Sequence, residues 1–117
     1  MIEIAFHLPL KTISEANCRE HWRAKARRHK IQRETCCVRV ACSAMPKAPI
    51  HVILTRLGKR DLDDDNLSGA FKHCRDGIAD AYQIDDGDKS LCTWEYRQLG
   101  ATDCGIIFLI GTRLCTE

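Results

Sequence analysis

The sequence predicts a single domain of the α+β class (mixed α/β), its elements in the order β-α-β-α-β-β with helices packed on a mixed sheet. Three observations carry that reading. Apolar residues alternate with period two near both ends of the chain, which marks strands. Between them, Leu67 to Ala81 repeats its apolar residues at helical spacing. At 117 residues and 44% hydrophobic content, the chain has material for one core, so residues 1–117 are expected to form one domain.

In the first strand, Ile2 to Leu8, the residues Ile2, Ile4 and Phe6 alternate with Glu3, Ala5 and His7, and Pro9 ends it. Ser14 can cap a helix running to about Ala44, because no proline interrupts before Pro46. Arg19, Arg23, Arg27 and Lys30 share one face of it, and Trp22, Ala26, Ile31, Val38 and Cys42 are its expected apolar stripe. Its first half is charged all round and is expected to project from the body. His21 and His29 read as further polar surface. Pro46 and Pro49 mark a loop, and Ile50 to Leu57 is apolar and β-branched enough for a strand.

Asp64, Asp65 or Asn66 can cap the next helix, whose face is Leu67, Ala70, Phe71, Cys74, Ile78 and Ala81. Leu91 to Leu99 alternates as a strand, Trp94 and Tyr96 on one side, Glu95 and Arg97 on the other. Cys104 to Arg113 reads as a buried strand, and Gly100 to Asp103 can close a hairpin between these two.

Composition excludes some classes. No apolar run approaches the length of a membrane span, and Met1 to His7 lacks the pattern of a secretory signal, so a cytoplasmic location is expected. The eight cysteines contain no C-x-x-C pair and two are adjacent, Cys36 and Cys37, so reduced thiols are expected in place of disulfides or zinc.

Charge is strongly separated. Residues 19–33 hold seven bases and one acid, a balance of +6, whereas residues 61–88 hold nine acids and two bases, a balance of −7. Such a chain can grip phosphates with one surface and hold cations at another. The acidic residues fall in two groups, Asp61-Leu62-Asp63-Asp64-Asp65-Asn66 and Asp85-Asp86-Gly87-Asp88. Carboxylates two residues apart leave a strand on the same side, and two such oxygens with a third from elsewhere suit Mg²⁺, a hard ion that prefers oxygen. An EF-hand reading of the first group fails, because no glycine stands at the sixth position and no terminal glutamate follows.

The run Asp63-Asp64-Asp65-Asn66-Leu67, a helix bearing Lys72 and Asp76, and then Asp85-Asp86 resembles the RusA family of Holliday junction resolvases. That family has an Asp-x-Asp-Asn motif, a lysine and an aspartate on the following helix, and an Asp-Asp pair beyond it. The resemblance spans most of the chain, and its specific motifs lie in residues 60–88. It implies a RusA-like fold and a homodimer of small subunits, often phage- or prophage-encoded, that nicks four-way DNA junctions symmetrically with Mg²⁺, with Mn²⁺ a possible substitute.

On this resemblance Asp63, Asp65 and Asp86 are the metal ligands and catalytic carboxylates, with Asp61 and Asp85 in reserve, since Asp61-Leu62-Asp63 also fits Asp-x-Asp. Lys72 is the catalytic lysine that stabilises charge on the scissile phosphate. Arg19, Arg23, Arg27, Arg28 and Lys30 are expected to hold the DNA backbone through phosphate contacts. One departure stands out. The family lysine comes three residues after the asparagine, where this chain has Gly69, and Lys72 comes three residues later, so Arg75 or Lys89 can take its part. Two alternatives remain: a different Mg²⁺-dependent nuclease acting on flaps or duplex, and a non-catalytic DNA-binding member of the same family.

Overall fold

A computed structural model of the chain describes residues 3–15 and 19–113. The elements are β1 (Ile4–Leu8), α1 (Trp22–Ala41), β2 (Ile50–Gly58), α2 (Asp64–Ala70), α3 (Lys72–Tyr82), β3 (Cys92–Gly100) and β4 (Gly105–Thr112). They form one mixed sheet in the order β1-β4-β2-β3, with β2 and β3 parallel and the other two pairs antiparallel. The α+β class read from the sequence is the one observed.

The hairpin expected at Gly100 to Asp103 does not form. β3 runs parallel to β2, joined to it by the α2–α3 crossover, and β4 then inserts on the other side of β2. Parallel neighbours need a long connection, and 33 residues between Gly58 and Cys92 supply it. β4 carries Ile106, Phe108 and Ile110, all fully buried, so it belongs in the sheet interior and leaves the less apolar β3 at the edge.

Register aligns the core across all four strands. Phe6, Phe108, Leu54 and Tyr96 form one row, and Ile4, Ile110, Val52 and Trp94 the next. This face packs with Phe71, Cys74 and Ile78 of the crossover and with Cys36 and Val40 of α1. The alternate residues Ile53, Ile107 and Leu109 stay only partly buried, so the far face of the sheet lacks such a cover among the described residues.

Two local expectations are corrected. The first helix starts at Trp22, capped by His21, whose Nδ1 accepts the Arg23 N–H at 3.2 Å, and not at Ser14. Its buried residues are Gln32, Cys36 and Val40, whereas Trp22, Ala26, Ile31, Val38 and Cys42 are all exposed. The second helix breaks in two at Phe71. There the Phe71 N–H turns to Ser68 O at 3.2 Å and the ring is buried against Tyr96, centroids 5.9 Å apart. Gly69, a weak helix former just before the break, makes it easier. Of the cysteines, the six described are free, with Cys36, Cys74 and Cys92 buried.

Candidate functional site

The first acidic group leaves the C-terminal end of β2. Two bonds fasten it there: the Leu62 N–H donates to Gln98 Oε1 at 2.8 Å, and Gln98 Nε2 donates to Leu62 O at 2.7 Å. Leu62 thereby lies against β3 as if it extended the sheet, and Asp61 and Asp63 on either side of it are exposed. Arg56 braces the same turn through Nη1 to Arg60 O at 2.6 Å and Nε to Thr12 O at 3.2 Å. Asp63 is the residue before α2, with extended backbone and no side-chain cap bond, and Asp64 and Asp65 occupy the first turn. Carboxylates are favourable at that end of a helix, which explains in part why the run is tolerated.

The second group sits in the turn before β3, and its three aspartates have separate tasks. Asp85 Oδ1 accepts the Gly87 N–H at 3.0 Å, and Asp88 Oδ1 accepts the Ser90 N–H at 3.0 Å and its hydroxyl at 2.5 Å. The Ser90 bonds hold the Asp88 carboxyl below its ordinary range. Both are turn-forming aspartates. Asp86 instead forms an ion pair with Arg75 of α3, Nη2 to Oδ2 at 3.0 Å.

Arg75 is held on several sides. Its Nη1 donates to the Tyr96 hydroxyl at 2.5 Å, and its guanidinium carbon lies 4.9 Å from the Trp94 ring centroid and 5.9 Å from that of Tyr96. Trp94 Nε1 donates to Asp86 O at 2.8 Å, so backbone and side chain of Asp86 are both engaged. Burial raises the Tyr96 phenol above its ordinary range, against the opposing influence of the Arg75 charge. An open cavity of about 330 Å³ lies here, lined by Arg75, Asp86, Lys89, Trp94 and Tyr96 among others.

The expected ligands Asp63, Asp65 and Asp86 are not gathered into a cation site. Among the described residues no group of three or more His, Cys, Asp or Glu side chains stands close enough to hold an ion. Asp86 already has a cation, Arg75, so only a rearrangement that frees it would let it share an ion with Asp63 and Asp65. Lys72 opens α3 on an exposed position, while Arg75, one turn on, is the basic group that reaches the second acidic cluster. Asp76 lies 3.9 Å from Arg33 of α1.

The basic residues divide as well. Arg19, Arg23, Arg27 and Lys30 are exposed. Lys30 is 3.9 Å from Glu34, a long, solvated pair. Arg28 differs: it bonds Glu15 through Nη1 at 2.6 Å and Nη2 at 2.9 Å, and Glu20 through Nη2 at 2.7 Å. It is thus spent on tying the chain before α1 to the helix, which makes it the least available of the five for a phosphate. His29 also bonds Glu15, at 2.9 Å, and stacks on His73 of α3 with centroids 3.7 Å apart. Burial raises the Glu15 carboxyl, but hydrogen bonds from Arg28 and His29 outweigh it and hold it down to about 2.

The residues that sequence reasoning missed are Gln98 and Tyr96, which fix the first acidic turn and Arg75. Both follow Trp94 at alternate positions on the helix-facing side of β3, so the strand pattern held the signal. Compared with protein-family models, curated proteins and solved structures, the chain gives no match.

Proposed function

We propose that the protein is an endodeoxyribonuclease acting on branched DNA, of the kind that resolves four-way junctions by paired nicks, with Mg²⁺ as its cofactor. The observation that carries this reading is the placement of the two charged segments. Asp61 and Asp63 stand exposed on a turn that Gln98 and Arg56 hold fixed, with Asp64 and Asp65 exposed at the start of α2, and Arg19, Arg23, Arg27 and Lys30 stand exposed just before and along α1. A basic face that binds backbone phosphates and a separate acidic turn suit a nuclease better than either feature alone does. The RusA-like order of motifs supports the junction as substrate. For Asp86 to act with Asp63 and Asp65 it must leave Arg75, and that release is part of the proposal. Paired nicks need two copies related by symmetry, and Ile107 and Leu109 on the uncovered face of β4 offer apolar surface for a homodimer. Among the described residues no helix is long and apolar enough to cross a membrane.

A second reading, a DNA-binding relative that does not cut, is favoured by the Arg75–Asp86 pair itself and by Gly69 in the lysine position. One experiment separates them. A synthetic four-way junction, a flap and a linear duplex are incubated with the protein and Mg²⁺, beside Asp65→Asn. Nicks confined to the junction and lost in the variant, with junction binding kept, support the resolvase. Nicks on flap or duplex alone redirect the substrate, and binding without cleavage by the unaltered protein establishes the second reading.

A further inference from the structure

α1 is 20 residues long and α3 is 11, about 30 Å against 16 Å. The two meet from His29–His73 onward, continuing through Arg33, which bonds Asp80 at 2.6 Å, and the close approach of Gly77 to Arg33 O. The turns of α1 before His29 therefore reach past the start of α3. Trp22 stands at that end, 67% exposed. A single exposed apolar side chain needs no explanation, but the neighbours of this one do. The Arg23 guanidinium carbon lies 5.1 Å from its ring centroid and the His21 ring stacks on it at 5.7 Å. Residues 21–33 contain no acid, and Arg19, just before the helix, and Arg27, five residues after Trp22, are both exposed.

An indole ring open to solvent among cations is what single-stranded nucleic acid is held by: bases stack on the ring and phosphates meet the basic groups. In a duplex each base is already stacked between its neighbours, so an exposed ring gains contact only where bases are unpaired. We propose that Trp22 is a stacking platform for an unpaired DNA base, with Arg23 and Arg27 on the flanking phosphates. The proposal rests on the DNA-binding reading above and deepens it by naming where a branch point or single strand is distinguished from plain duplex.

The test is binding without metal, in EDTA, to oligo(dT), a four-way junction and a linear duplex, for the unaltered protein, Trp22→Ala, Trp22→Phe and Arg27→Ala. Trp22→Ala should weaken oligo(dT) and junction binding roughly five-fold to a hundred-fold and leave duplex binding within about two-fold. Trp22→Phe should recover most of the loss, because it keeps an aromatic ring. Indole emission should be quenched when oligo(dT) saturates the unaltered protein, and the quenching should vanish in Trp22→Phe, whose remaining indole is Trp94. Arg27→Ala should weaken all three DNAs alike and lower the salt dependence by about one counterion. Overturning results are a Trp22→Ala protein that binds all three as before, or one that loses the same factor on duplex. If the unaltered protein binds no DNA, the DNA-binding reading falls together with this one; firm binding with Trp22 silent overturns this one alone.

Discussion

Asp86 illustrates how a partner decides what a carboxylate can do. The residue is one of three aspartates within four positions, yet Asp85 and Asp88 close turns through Gly87 and Ser90, and only Asp86 faces a cation. Aspartate and glycine favour such backbones, a signal that reading the cluster as cation ligands passes over. The partner was not legible, because Arg75 lies on a helix and the pairing depends on how α3 crosses β3. Arg75 also bonds Tyr96 and covers Trp94, so its loss leaves Asp86 and a half-buried phenol short of a donor. Arg75→Gln should lower unfolding free energy by about 1–2 kcal/mol in urea titrations and change Trp94 emission in the folded state. A loss under about 0.3 kcal/mol would mean that the pair is solvated like an ordinary surface bridge.

Among the elements, the helix after the acidic motif showed its buried face in the sequence, whereas the one before it showed its presence but neither its start nor its buried face. Leu67, Ala70, Phe71, Cys74 and Ile78 are buried as their spacing requires, even though the helix bends at Phe71. α1 turned a different face inward. Arg28 and His29 are partly covered because Glu15 holds them, and Gln32 is buried with its Nε2 donating to Lys11 O at 2.8 Å. An apolar stripe cannot reveal a face that is buried through ion pairs and amide bonds. What sets the distance between α1 and α3 is Gly77: a Cβ there would lie 2.2 Å from Arg33 O, which is backbone and cannot turn aside. Gly77→Ala should therefore cost about 2 kcal/mol or more, read by urea titration, as the helices are forced apart. Gly69→Ala provides the contrast. A Cβ at Gly69 meets nothing within 4 Å, so this change should stabilise α2 by about 0.5–1 kcal/mol. If both substitutions cost the same, the close approach at Gly77 does not govern the packing.

Across the whole molecule, sequence order could supply the element list but not the neighbours. The order β1-β4-β2-β3 follows from burying the most apolar strand and from a crossover long enough to make β2 and β3 parallel, which local pattern does not encode. The same assembly sets the response to pH. Glu15 is held down to about 2 against an ordinary 4.5, so it binds protons more readily unfolded than folded, and the stability it lends is lost as pH falls from 4.5 towards 2. His73 is lowered from its ordinary 6.5 by burial and by His29 beside it, so the fold prefers it neutral and loses stability as pH falls through 6.5.

Tyrosines act at the other end. Burial pushes Tyr82 up to about 12 from 10.0, while its hydroxyl donates to Pro46 O at 2.7 Å, so stability is lost as pH rises past 10.0. The buried thiols of Cys36 and Cys92 are raised above their ordinary 9.0 as well, so the melting temperature should be flat between about pH 7 and 9 and fall on both sides. His73→Phe separates the acid contributions. It should keep the stack on His29 and flatten the limb between about pH 5 and 7, while leaving the loss below about pH 4.5 to which Glu15 and the other lowered carboxylates, Asp80 and Asp88 among them, contribute. Thermal melts from about pH 3 to 11 on both proteins read this directly. A melting temperature that rises on acidification from pH 7 to 5 in the unaltered protein would show that the junction of Glu15, His29 and His73 does not hold the N-terminal segment to the helices as described.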